Sequence, residues 1–434
     1  MKKILTISAL VVSGVIAAHA QIRQWSLDEC VEYAIAHNIN VLQTKVSEEE
    51  GQISVDEAKS RFLPQISGYA SQSFNFGRGL TADNTYANRN TSSFALGANL
   101  QLPVFQGLRA LRTLEYSKVN LRALAERTEA AKDNVTLSVI GGYLQALYAS
   151  EMLGVANENL AISQRELERR QKLLEAGKIP ELDLYEARAQ VAQDELSVVN
   201  AQNDSITALL DLAQMLNIED YNNFAILPLP DSRMDILNPD EVFACAMRNN
   251  HEIKATRIEA EAAQKNVGVA RTGYIPTLSF NAGLGTNYYR TSGFTNEDFG
   301  AQFKHNFSKS IGFSLSVPIF DGLSTRNSVR RAKAQAAVSA LRLDDARNSL
   351  YKAINTAYTQ AVAAQKKYDA STTSVESSLA AFDAMQVKYN NGRATPTEFS
   401  KAKSDYTNAL ANQVQAKYEA MLRARILAFY NKQN

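Results

Sequence analysis

The sequence is short of helix breakers and of the residue types that catalysis uses. Among 434 residues there are only 20 glycines and 9 prolines, a mixture that favours long helices. Two cysteines, Cys30 and Cys245, are no disulfide framework. A bridge is allowed in an oxidising compartment, but two unbridged buried thiols are expected. A charge excess is missing too, with 46 basic residues against 45 acidic ones. A nucleic-acid-binding surface needs a basic excess, so no such partner is indicated. Of the four histidines, His19 lies in the leader described below, and His305 in a polar stretch. His37 and His251, close to one another in repeat register, lack the i, i+4 partner of a helical metal site. Surface or helix-end roles are expected for them. No phosphate-binding glycine loop and no catalytic constellation occurs, so neither an enzyme nor a cofactor is expected. Beyond Gln21 no run of eighteen apolar residues occurs, so no membrane-spanning helix is predicted there. Entry into a membrane would have to use β-strands.

What is present begins with an address. Lys2 and Lys3, the apolar stretch Ile4 to Ala17, and Ala18-His19-Ala20 read as a secretory signal over residues 1–20. Its loss takes the net charge from +1 to about −1. No cysteine follows the cleavage site, so a lipid anchor is not indicated.

The rest is a duplication. Leu27-Asp28-Glu29 aligns with Pro239-Asp240-Glu241 at an offset of 212, as do Asn38 with Asn250 and Phe62-Leu63-Pro64 with Tyr274-Ile275-Pro276. Later the offset is 215. Pro103-Val104-Phe105-Gln106-Gly107 then matches Pro318-Ile319-Phe320-Asp321-Gly322, and Gly177-Lys178 matches Gly392-Arg393. Residues 21–236 and 237–434 are therefore read as two repeats. Each holds a helix, a β-hairpin (about 65–104 and 277–319), a long helix, a tip turn (177 and 392) and a returning helix.

The strands alternate. Phe94, Leu96, Ala98, Leu100 and Leu102 do so, as do Ile311, Phe313, Leu315 and Val317, with Leu278 to Leu284 and, more weakly, Ile66 to Ala70 as partners. One face is apolar and the other small and polar, which suits a transmembrane barrel or a soluble sandwich equally. Number decides between them. Four strands cannot close a barrel and leave open edges, whereas three chains supplying twelve would close one. The loops 77–93 and 290–309 carry Tyr86, Tyr288, Tyr289, Phe294, Phe299, Phe303 and Phe307. These suit a membrane interface, or anchors of the loops onto the sheet.

From Gly107 to Gly177, and from Gly322 to Gly392, no proline occurs. Each stretch makes a helix of roughly 105 Å, with a bend admitted at Gly141, Gly142 or Gly154. Helices predicted over 25–61, 182–217, 239–273 and 397–432 are half as long, so two stacked end to end match one long one. Pro228, Pro230 and Pro239 make 218–239 a linker. A coiled-coil seam is predicted through Tyr185, Ala189, Ala192, Leu196, Val199, Asn203, Ile206, Leu210 and Ala213, with Leu160, Leu167 and Leu174 on the helix before.

The signal, the duplicated helix–hairpin–helix unit, the Pro-x-Phe-x-Gly close of the second strand and the Gly-x5-acid-hydrophobe start of the returning helix resemble the TolC family. The resemblance covers essentially the whole chain after residue 20. It implies an α+β membrane protein: a homotrimer with a twelve-stranded barrel, four strands per chain, continued by a periplasmic coiled-coil tunnel of twelve helices. It also implies an exit duct in outer-membrane lipid, docked to a periplasmic adaptor (membrane fusion) protein and an inner-membrane transporter of RND or ABC type.

The tips are the candidate site. Gly177 and Gly392 read as αL helix terminators, and Pro180 and Pro396 as starts of the returning helices. Six residues past each glycine is an acid, Asp183 and Glu398, which favours a helix N-terminus. In a trimer these acids are expected to line an entrance constriction. The resemblance implies an acid also at position 401, where Lys401 stands, so a weaker acidic ring is expected. Gly177, Lys178, Ile179, Pro180, Gly392, Arg393 and Ala394 are the expected adaptor contacts. The alternative is a secreted or surface coiled-coil structural protein without a pore. Nothing in the sequence names the cargo.

Overall fold

The computed structural model describes residues 23–80, 84–219, 221–230 and 236–431. The predicted signal, and part of the predicted linker, lie outside the described residues. In chain order the elements are β1 (Arg23–Trp25), α1 (Leu27–His37), α2 (Ile39–Ser60), β2 (Gln65–Asn75), β3 (Arg78–Leu80), β4 (Tyr86–Asn88), β5 (Thr91–Phe105), α3 (Arg109–Glu175), α4 (Glu181–Leu216), β6 (Phe224–Ile226), α5 (Pro239–Asn249), α6 (His251–Arg271), β7 (Thr277–Thr291), α7 (Phe299–His305), β8 (Ser308–Ser316), α8 (Ser324–Asn390) and α9 (Pro396–Tyr430). The long helices α3 and α8 have 67 residues each, and α3 runs unbroken through its three glycines. Among the described residues no helix is long and apolar enough to cross a membrane.

Where single helices are predicted over 25–61 and 239–273, the structure has two in each place. The breaks fall at the repeat pair Asn38 and Asn250, whose backbones are extended. Each amide oxygen accepts from a nearby N–H, Asn40 at 2.9 Å and Ile253 at 3.1 Å. That is the N-cap geometry asparagine favours, and Asn38 also donates to the Met215 carbonyl at 2.8 Å.

The chain divides into two compact units. The first takes residues up to Leu42, Lys132–Cys245 and Ala353–Gln433. Its core gathers Trp25, Cys30, Tyr143, Leu144, Leu212, Leu216 and Phe224. Strands β1 and β6 pair in parallel, and the buried Tyr143 hydroxyl lies 2.6 Å from the Leu227 carbonyl oxygen and 3.0 Å from that of Trp25. Cys30 and Cys245 are buried and not bridged. Burial, then the neighbouring Glu29 carboxylate, push the Cys30 thiol up to about 12.

The predicted seam of α4 is buried within the chain only at its C-terminal end, at Ala213. Tyr185, Leu196, Val199 and Ile206 are 51 to 60% exposed, whereas Leu184, Ala187, Val191, Asp194, Ala208 and Leu212 are buried. Two apolar stripes wind along α4, and a periodicity of 3.6 cannot say which of them faces a neighbour within the same chain.

The second unit, Gln43–Ala131 and Ala246–Lys352, holds the sheet. It is antiparallel, in the order β2-β5-β7-β8. The register aligns Ile66, Leu100, Ala282 and Ile311 in one row and Leu102, Phe280 and Phe313 in the next, so these rows give one face an apolar character, interrupted towards the loops by Gln72, Thr286, Arg290 and Lys309. The opposite face carries Ser67, Asn99, Gly283 and Ser310. On that face the Tyr69 ring lies over Gly97, where a Cβ would stand 2.8 Å from the ring. Strand β8 ends at Ser316, so Val317 falls outside it; the next residue is Pro318, which cannot donate to a ladder. The predicted loops are partly regular. β3 and β4 pair within 77–93, and α7 lies within 290–309. The Phe299 and Phe303 rings stand 6.4 and 6.2 Å from Phe94, and Phe299 is 5.0 Å from Tyr288. These aromatics anchor the loop to the sheet, while Tyr86, Phe294 and Phe307 remain exposed.

Candidate functional site

Both tips belong to the first unit and are closed by the same turn. Gly177 and Gly392 each take a φ of +67°. Lys178 N–H donates to the Leu173 carbonyl at 2.9 Å and Gly177 N–H to that of Leu174 at 2.8 Å. In the second tip Arg393 donates to Lys388 at 2.9 Å and Gly392 to Tyr389 at 3.0 Å. This 6→1, 5→2 pair is the Schellman arrangement, which needs the left-handed residue that glycine supplies at little cost.

The helix starts differ. Pro396 is at the first turn of α9, as predicted, behind the N-cap Thr395. Pro180 is instead itself the N-cap of α4, without a side-chain cap. Glu398 and Thr395 form a capping box: the Glu398 carboxylate accepts from Thr395 N–H at 2.7 Å and from its hydroxyl at 2.9 Å. The bond from the Thr395 backbone, then that from its hydroxyl, hold the Glu398 carboxyl below its usual range. Pro180 has neither donor, so Asp183 has no equivalent box; its backbone carbonyl accepts from Arg170 at 2.8 Å. Lys401 pairs along its own helix with Asp405 at 2.9 Å. Asp183, Glu398 and Lys401 are not joined to one another by any bond among the described residues. Lys178 and Arg393 are exposed, Ile179 and Ala394 partly buried, with Ala394 packed against the buried cluster that Ile162, Phe382, Tyr389, Phe399 and Tyr406 form.

Behind the turns is a polar cluster that the sequence reading missed. The Tyr389 hydroxyl donates to Glu166 at 2.5 Å, and Arg170 donates to the same oxygen at 2.8 Å. Arg169 donates to the Tyr389 carbonyl at 3.1 Å and lies 4.3 Å over its ring. Burial, then the Glu166 carboxylate, push the Tyr389 phenol up. One turn further on, Lys403 meets Asp194 at 2.8 Å, with side chains only 8% and 4% exposed. Ser163 donates to Asp194 at 2.5 Å, Gln190 at 2.9 Å and Asn159 at 3.0 Å, and Lys403 also donates to Ser163. The helix pairs α3–α4 and α8–α9 are thus tied by charge-assisted bonds between side chains far apart in sequence. The signal available was an acid and a lysine at helix positions otherwise small or apolar. Nothing local in the sequence pairs the two.

Elsewhere His251 meets Glu126 at 2.8 Å and His37 stacks on Tyr33 at 4.0 Å. Among the described residues no group of three His, Cys, Asp or Glu is placed to hold a metal.

Comparison with known proteins agrees with this geometry. The profile of the outer membrane efflux protein family matches residues 31–217 and 244–428, one stretch in each repeat. The chain is 25% identical over 406 residues to protein CyaE of Bordetella pertussis, covering 93% of this chain and 82% of that one. It is 24% identical over 381 residues to outer membrane protein TolC of Escherichia coli, covering 85% and 74%. The structure of the Campylobacter jejuni CmeC outer membrane channel shares the fold, with a TM-score of 0.79 at 19% identity over 93% of this chain and 85% of that one.

Proposed function

The chain belongs to the outer membrane efflux protein family, and we propose that three copies of it form the exit duct of a tripartite efflux pump or type I secretion system. The family is one of outer-membrane transport ducts and not of enzymes. The observation that carries the assembly is the open sheet. Among the described residues, strands β2 and β8 have no partner on their outer sides, and both are exposed along their whole length. Ile311 and Phe313 are 80% and 71% exposed on its apolar face. A four-stranded sheet so exposed is unstable alone in water. Twelve strands from three chains close into a barrel whose apolar face meets lipid. The exposed stripe of α4 supports the same assembly, since it offers a second packing surface to a neighbouring chain.

The tips are the docking end. The exposed cations Lys178 and Arg393 fit a contact with a periplasmic adaptor, which couples the duct to an inner-membrane transporter of RND or ABC type. The residues between 178 and 183, and 393 and 401, surround the entrance, with Asp183 and Glu398 as its acids and Lys401 weakening the second ring. A passive duct selects little, so the transporter chooses the cargo. Detergent extraction of outer membranes, with cross-linking, tests the assembly. A trimer that dissociates on heating and conducts in planar bilayers is expected. A protein that extracts without detergent and forms no pore sinks the proposal and restores the coiled-coil alternative.

A further inference from the structure

The helices of the second unit stand in a row. A Cβ at Gly51 of α2 would lie 2.6 Å from Leu124 of α3. Arg127 and Glu126 of α3 meet Glu259 and His251 of α6 at 2.8 Å each. A Cβ at Gly273, just past α6, would lie 2.8 Å from Thr325 of α8. The order α2-α3-α6-α8 thus repeats the strand order β2-β5-β7-β8, and α2 and α8 end the row as β2 and β8 end the sheet. Their outer faces are exposed. On α2, Val46, Glu50, Ile53 and Glu57 step by four and three on the side opposite the buried Gly51, Val55 and Ala58. On α8, Arg330, Ala334, Ala337 and Leu341 do the same opposite the buried Ala332, Ser339 and Leu350. The two faces differ in charge. From Val46 to Ser60, α2 carries Glu48, Glu49, Glu50, Asp56 and Glu57 against Lys59 alone. From Ser324 to Leu343, α8 carries Arg326, Arg330, Arg331, Lys333 and Arg342 and no acid. Arg326 even occupies the first turn, where a helix favours acids. Among the described residues, Glu49, Glu50, Glu57 and these five cations have no hydrogen-bond or ion-pair partner.

We propose that the cationic start of α8 docks on the acidic outer face of α2 in a second copy of the chain, and that this charge match sets how copies join. Glu57 meets Arg326 and Arg330, while Glu49 and Glu50 meet Arg331 and Lys333. Val46 lies 14 residues before the end of α2 at Ser60, and Ala337 lies 13 after the start of α8 at Ser324. At about 1.5 Å per residue the two stand at one height and pack together. Opposite charges favour α2 against α8, and like charges oppose α2 against α2 or α8 against α8. Unlike edges make a head-to-tail contact that closes into a ring, whereas like edges would pair two copies about a two-fold axis. The inference rests on β2 joining β8 between copies, as the assembly proposed above requires. The chain runs from α2 into β2 and from β8 into α8, so that strand pairing brings these two helices side by side.

The test uses the full-length chain in outer membranes, with trimer measured by chemical cross-linking. E49K/E50K/E57K and R330E/R331E/K333E are each expected to yield about tenfold less trimer, from three exposed pairs lost at every interface. The chain carrying all six substitutions restores opposite charges and is expected to recover the trimer. Independently, V46C/A337C is expected to form disulfides between copies under mild oxidation, and V46C or A337C alone to form none. A trimer indifferent to both reversals leaves the cations to another occupant, such as anionic lipid, and overturns the proposal. A six-fold variant no better than the two reversals overturns the charge match, and a native-like trimer of V46C/A337C that does not cross-link overturns the contact. Single-channel conductance separates the two levels. A conducting native trimer with none of these responses sinks this inference alone, whereas a native chain that forms no conducting trimer sinks the duct as well.

Discussion

Lys403 and Asp194 meet where little water reaches either, so each ion compensates the other. Removing one partner leaves the other ion uncompensated. Lys403→Met is expected to lower stability by about 3–5 kcal/mol, whereas Lys403→Met with Asp194→Leu recovers most of the loss. Thermal unfolding of the purified variants measures both, and a single variant as stable as the double would show that the pair carries no such strain. Glu398 acts through a different term. Its carboxyl is held below the ordinary value of 4.5 by the Thr395 bonds. A depressed folded-state pKa contributes stability that is present above the unfolded value and lost as pH falls through the folded one. The stability advantage of the native chain over Glu398→Gln is therefore expected at neutral pH and to fade below about pH 4.5. Unfolding curves of both proteins across that range test it; an advantage that grows with acid would show the sign to be wrong.

At the scale of elements, α4 carries two apolar stripes with different duties. Leu212 is fully buried within the chain, so Leu212→Ala is expected to cost about 2–5 kcal/mol of stability. Val199 and Ile206 lie on the exposed stripe. Val199→Asp with Ile206→Asp is expected to keep the helix content by circular dichroism and to abolish cross-linked trimer. A variant that cross-links like the native chain would remove α4 from the interface. The two long helices and their Schellman turns were legible from sequence because both depend on local rules, the scarcity of breakers and a left-handed glycine. The breaks at Asn38 and Asn250 were visible only as a repeat pair. Asparagine marks a cap as readily as a helix surface until tertiary contacts such as Asn38 to Met215 decide.

For the whole molecule, the duplication gives the chain two unlike tips, which in the proposed duct line the entrance. In a trimer Asp183 and Glu398 present six carboxylates, three of them engaged in capping boxes and followed by Lys401–Asp405 pairs. Asp183→Ala with Glu398→Ala is expected to lower cation preference and divalent-cation block in planar bilayers, through loss of a fixed negative potential at a narrow entrance. Unchanged conductance, ion preference and block would remove the acids from the gate.

By itself the sequence determined the repeat, the strands with one apolar face, the paired long helices and the glycine turns. Each follows from interactions among residues a few positions apart, where the periods of 2 and 3.6 and the φ of a single residue are decisive. Only the tertiary structure decided which stripe of α4 turns inward, that α7 folds onto Phe94 and Tyr288, and that Lys403 finds Asp194. Those outcomes depend on pairings across long stretches of chain, and one-dimensional periodicity holds no information about which of two equally apolar faces will meet which neighbour.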